Sequence, residues 1–217
     1  MRLPLNTLSA DSDVPGLGGS STDIGDLSVI LKYAVMRDRE TGDVISAGLA
    51  VTAPTGPNDF AGFNNIQSLH EATLQPFVGY LYNWGDFYLH GFTSLDVPTD
   101  SRDVTILFND IGIGYFLYRN RAEDALVTAV VPTFEVHVNT PLNHRGALNF
   151  ADPAGTPDLV DLTLGTTVGL GRRSTLAVAF VAPVTGPKPF DFEVIAQLNI
   201  HFGAQCQGKG WSTACSW

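Results

Sequence analysis

The chain has 217 residues, of which 44% are apolar and only 16% charged, a balance that excludes a disordered chain and a charged coiled coil. With 22 acids against 12 bases the net charge is −10, which argues against nucleic acid as a partner, since its binding calls for a basic face. No apolar run reaches the length of a transmembrane helix, and Met1 to Ala10 lacks the apolar core of a signal peptide.

Residues 1–25 are rich in Gly, Ser, Asp and Pro, as in Pro15-Gly16-Leu17-Gly18-Gly19-Ser20-Ser21, and are expected as a flexible arm. From Asp26 the texture changes to runs of Val, Ile, Thr, Tyr and Phe separated by turn-forming clusters, which are strand signals. Nine strands are predicted, at 27–37, 43–53, 73–84, 86–97, 103–118, 124–138, 158–171, 173–183 and 190–202. Short turns at Asp38 to Asp43, Asn83-Trp84-Gly85-Asp86, Tyr118 to Asp124 and Gly171-Arg172-Arg173-Ser174 alternate with longer links at 54–72 and 139–157. Pro132, which cannot donate to a ladder, implies a bulge or a strand end inside the sixth strand. Residues 203–217 form a tail holding both cysteines, Cys206 and Cys215. That pair could close a small terminal loop but matches no zinc pattern.

The strands alternate with a period of two, which puts one face apolar and one polar. In 160–170 one face reads Val160, Leu162, Leu164, Thr166, Val168, Leu170 and the other Asp161, Thr163, Gly165, Thr167, Gly169. A soluble sandwich and a membrane barrel share that signal. The polar faces here carry Thr, Gly, Asn and Gln rather than the Lys and Glu of a water-exposed sheet. Aromatics such as Tyr80, Tyr82, Trp84, Phe87 and Tyr115 sit near strand ends. Both features point to a membrane barrel.

At this point the residues resemble a family. Gly25-Asp26-Leu27 and the strand it opens, through Tyr33, is similar to the Gly-Asp-Leu opening of outer-membrane barrels of the MetA-pathway of phenol degradation family. Gly48 to Gly56, with its Pro54-Thr55-Gly56 turn, Pro76 to Tyr80, and Ala196 to Phe202 fit the same family in order. The resemblance spans about residues 25–202. It implies an outer-membrane barrel of about a dozen strands with a channel or transport role, and it brings no catalytic set. Nine is an odd count where single-chain bacterial barrels have an even one, so the chain is expected to be short at its N-terminus or to hold an unread strand.

Glu135 and His137 share one face with Thr133, a carboxylate beside an imidazole, but no nucleophile-elbow serine accompanies them. The five histidines, His70, His90, His137, His144 and His201, show no metal-site spacing. By parity Lys32, Asp110, Asp161 and Glu193 fall on polar faces, where charge tunes which solutes pass. The expectation is an all-β, antiparallel, up-and-down, outer-membrane-type barrel of about 10–12 strands over residues 26–202. Lys32, Asp110, Glu135, His137, Asp161, Glu193, Gln197, Asn199 and His201 would line its lumen. Small, hydrophobic or aromatic solutes would pass without catalysis. Outer-membrane lipid would be the partner, with no cofactor, no metal and no nucleic acid. The alternatives are a soluble barrel holding an apolar ligand and a structural surface barrel with a plugged lumen.

Overall fold

The computed structural model describes residues 1–10, 19–57, 59–60, 63–67, 70–120, 122, 124–186, 188 and 190–202. The tail at 203–217, with both cysteines, lies outside them. The strands are β1 (Leu5–Ala10), β2 (Gly19–Ile24), β3 (Leu27–Arg37), β4 (Val44–Ala53), β5 (Asp59–Phe60), β6 (Phe63–Gln67), β7 (Thr73–Trp84), β8 (Phe87–Pro98), β9 (Ile106–Tyr115), β10 (Tyr118–Arg119), β11 (Val127–Pro141), β12 (Leu159–Leu170), β13 (Ser174–Pro183) and β14 (Glu193–Ile200). The described residues contain no helix.

The main sheet runs β14-β13-β12-β11-β9-β8-β7-β4-β3, with β10 also on β11. Every pairing in it is antiparallel, and each strand lies beside a neighbour in chain order. The all-β, up-and-down architecture is therefore the observed one, and the nine long strands are the nine predicted from alternation. Among the described residues the ladder does not close. β3 and β14 each pair with one strand of the sheet, apart from a single bridge between Arg2 and Ser28 on the outer side of β3.

Turn chemistry explains the tight corners. Gly85 and Gly171 take φ of 63° and 57° in the β7–β8 and β12–β13 turns, the left-handed region that glycine enters without a Cβ penalty. Asp38 accepts hydrogen bonds from the backbone N–H of Glu40 at 2.8 Å, and the backbone pairs Asp38 with Asp43, closing the β3–β4 turn. These corners, with the β10–β11 link, sit at one end of the sheet. The longer connections, 54–72, 99–105, 142–158 and 184–192, sit at the other.

Three expectations are corrected. Residues 1–25 are not only an arm, because β1 and β2 pair as a hairpin from Leu5↔Ile24 to Ala10↔Gly19. Thr7 and Thr22 share a cross-strand hydroxyl contact of 3.1 Å, a pairing that threonine favours in strands. The 54–72 link holds a second small hairpin, β5–β6. The turn expected from Tyr118 starts two residues later, since Tyr118 and Arg119 pair with Val130 and Ala129.

Pro132 does mark an irregularity. Thr133 faces Gly114, whereas Val130 faces Tyr118. Val131 and Pro132 of β11 thus oppose the three residues Tyr115, Phe116 and Leu117 on the β9–β10 side, and the extra residue lies across from the proline that has no N–H to offer.

The two faces of the sheet reverse the usual order of burial. One face carries Leu31, Leu49, Leu89, Ile111, Ile113, Phe134, Leu164, Val178, Val194 and Leu198, all exposed, with Leu31 at 67% and Leu164 at 66%. The other face buries Ser28, Ser46, Ser94, Asp161 and Thr163, together with Ala129, Val131 and Val181. A water-soluble sheet hides its apolar face; this one hides its polar face. Tyr82, Trp84, Phe87 and Tyr115 gather on the exposed face at the short-turn end, with the Phe87 and Tyr115 rings 4.7 Å apart.

Candidate functional site

Cross-strand register lines up polar side chains in rows across the buried face. One row runs Phe92, Asp110, His137, Asp161, Pro183 over β8, β9, β11, β12 and β13. The next runs His90, Gly112, Glu135, Thr163, Val181, Glu193 and reaches β14. A third runs Tyr88, Gly114, Thr133, Gly165, Ala179, Ile195.

At the centre, His137 Nδ1 lies 2.8 Å from Asp110 Oδ1 and Nε2 lies 2.9 Å from Thr163 Oγ1. A carboxylate only accepts, so Nδ1 carries a proton, and the Thr163 hydroxyl can donate to Nε2 of the neutral ring. Glu135 completes the cluster, its Oε2 3.6 Å from His137 Nε2 and its Oε1 3.7 Å from His90 Nε2. Gly112 makes this approach possible. A Cβ there would stand 2.5 Å from His90 Nε2 and 2.7 Å from Glu135 Cγ.

A cavity of about 350 Å³ opens over these rows, lined by Tyr88, His90, Thr133, Glu135, His137, Thr163, Ala177, Gln197 and neighbouring residues. Its walls come from strands as far apart as β8 and β14. Five steps along a flat sheet would separate those strands by about 24 Å, so the sheet curls around the cavity.

The sequence-nominated residues divide by position. Asp110, Glu135, His137 and Asp161 meet in the central cluster, and Gln197 reaches the cavity wall. Asn199 lies one pleat beyond Gln197, accepting a hydrogen bond from it at 2.8 Å and donating to Thr175 at 3.4 Å. Glu193 is exposed at the other end of β14. Lys32 is exposed on β3, opposite Gly48, at the far edge of the sheet from β14. His201 lies past the end of β14, with its backbone N–H donating to Arg173 at 2.7 Å, and does not join the cluster. His90, Tyr88 and Thr163 belong to the site without having been singled out. Their parity was readable, but only the register of β8 on β9 and β9 on β11 brings them to Glu135 and His137.

The order Asp110, His137, Thr163 is that of a nucleophile relay. Thr163 is buried at 6% exposure. The β12 residues 161–169 pair with strands on both sides, so their backbone N–H groups are engaged in ladders rather than free to hold an oxyanion. Among the described residues no group of three or more His, Cys, Asp or Glu side chains could hold a metal ion.

A second polar cluster ties the long loops together. The His144 Nδ1 lies 2.8 Å from Asp152 Oδ1 and Nε2 lies 3.1 Å from the Ser101 carbonyl. Both partners are acceptors, so both ring nitrogens must carry protons. The His144 pKa is raised accordingly, first by the Ser101 carbonyl and then by Asp152. Asn143 Oδ1 accepts from the Thr105 N–H at 2.6 Å. Asp100 grips Arg102 through its side chain and backbone, which holds its carboxyl down at about 2.

No curated protein matches the chain. The profile of the MetA-pathway of phenol degradation family matches residues 2–131, from ahead of the β1–β2 hairpin into β11. That span begins earlier than the resemblance at Gly25-Asp26-Leu27 and covers more than half of the sequence, and the chain belongs to the MetA-pathway of phenol degradation family.

Proposed function

We propose that this chain forms an outer-membrane barrel-type channel through which small solutes, including hydrophobic or aromatic ones, pass without chemical change. The observation that carries the reading is the reversed sheet: exposed Leu, Ile, Val and Phe on one face, buried Ser, Thr and Asp on the other. Lipid would solvate the first face, and the second would line an aqueous path. Strands of 10 to 15 residues in β3, β4, β7–β9 and β11–β13 meet or exceed the 9–11 or so that a tilted strand needs to span the hydrocarbon layer. Short turns at one end and long loops at the other fit the periplasmic and extracellular ends of such a barrel, and the Tyr82, Trp84, Phe87, Tyr115 belt fits an interface girdle. The family's description, a phenol degradation pathway, supports a small aromatic molecule as the solute. Asp110, Glu135, His137, Asp161, Glu193 and Gln197 would face the path, with Lys32 across it on β3 and Asn199 and His201 toward its short-turn end.

The test is export to the outer membrane followed by gel mobility of boiled and unboiled membrane fractions, then conductance in planar bilayers. A heat-dependent mobility shift and discrete conductance steps are expected. A soluble protein without a shift would overturn the membrane reading, and insertion without conductance would leave a plugged structural barrel.

A further inference from the structure

Asp161 stands apart from the other carboxylates of the buried face. It is only 8% exposed, and its Oδ1 has no hydrogen-bond partner among the described residues. Its cross-strand neighbours cannot supply one. His137 has spent Nδ1 on Asp110 and Nε2 on Thr163, and Pro183 on the other side has no N–H. Among the described residues the only favourable charge within electrostatic reach is the His137 ring, already held by Asp110 and Thr163, and Glu193 adds like charge. The imbalance extends along the sheet. Strands β8, β9 and β11–β14 hold Asp96, Asp110, Glu135, Asp161 and Glu193, all on the buried face by register, and contain no Lys or Arg. A buried carboxylate oxygen without a donor is costly, and ionisable groups held in a membrane barrel mark solute paths.

We infer that Asp161 is the docking carboxylate for a monovalent cation, a hydrated alkali ion or a protonated amine, and that the path selects cations over anions. This rests on the channel reading above and names the charge class of its solutes. Charge and hydrogen bonds hold the cation, because the described residues assemble no ligand set for a metal stripped of its water. Thr163 and Glu135 stand next to it on the same face and offer further acceptors.

Two measurements on the full chain test this: reversal potential in a potassium chloride gradient, and NMR saturation transfer to propylammonium in detergent. Asp161→Asn and the charge-keeping Asp161→Glu are compared with the parent. Potassium is expected to permeate over chloride by about fivefold or more, and propylammonium to show saturation transfer that excess potassium displaces. The saturation transfer should vanish and the potassium preference fall in Asp161→Asn, and both should persist in Asp161→Glu. Current without cation preference, or a preference unchanged in Asp161→Asn, overturns the site while leaving the channel standing. Saturation transfer lost in Asp161→Asn, with no current in any form, upholds the site and overturns passage. Neither signal in the parent protein overturns both, and that outcome does not depend on whether Asp161→Asn folds.

Discussion

Gly112 separates His90 from Glu135 by the width of a missing methyl group. Gly112→Ala should push the two apart and destabilise the sheet by about 1–3 kcal/mol, the usual cost of overpacking, read as a lower urea midpoint. Glu71, in the loop ahead of β7, gives a pH signature. Its carboxyl is raised to about 7 by burial, then by its hydrogen bond and charge interaction with Asp103 and the charge of Asp100. Folding therefore loses stability as pH climbs from the ordinary carboxyl range to about 7, and the loss levels off above that. Glu71→Gln should raise the melting temperature at pH 8 and leave it unchanged at pH 4; equal shifts at both values would refute the burial account. At this scale the sequence was half legible. Alternation assigns Asp110, His137 and Asp161 to one face, but it cannot set the offset between strands. His90, 45 residues from Glu135 in the chain, therefore had no visible partner.

The long strands were legible because eight or more alternating residues outweigh any local ambiguity. The short ones were not. β1, β2, β5 and β6 contain Asn, Ser, Gly and Asp, which read as loop, and β10 is two residues long; pairing, not propensity, makes them strands. Among the connections, the 99–105 and 142–158 loops are joined by His144 and Asn143. The His144 latch needs the imidazolium, so its contribution is fully present below the ring's ordinary value of 6.5 and lost as pH rises through its raised value. Hydrogen exchange across 142–158, corrected for intrinsic rates, should accelerate over that interval in the parent protein. His144→Asn should exchange at the fast rate throughout, and a pH-independent parent would remove the latch.

The whole molecule is defined by which face meets which solvent. Leu164, two-thirds exposed near the middle of β12, should meet the hydrocarbon. Leu164→Arg should then cost about 2–4 kcal/mol of stability in bilayers, measured by equilibrium unfolding from vesicles. A change near zero would argue that water covers that face. The sheet's order has a consequence for time as well as for place. Each strand's partner is the next long strand along the chain, so every contact needed to extend the sheet is brought close by one short or moderate loop, a topology that assembles fast. Growth can start at the tight β7–β8 or β12–β13 corner and spread hairpin by hairpin in both directions. The outer margins of β3 and β14 lie at the two ends of that progression. Whatever finally covers them must act after everything between them is in place, which makes those two margins the last part of the molecule to become secure and the first to come apart.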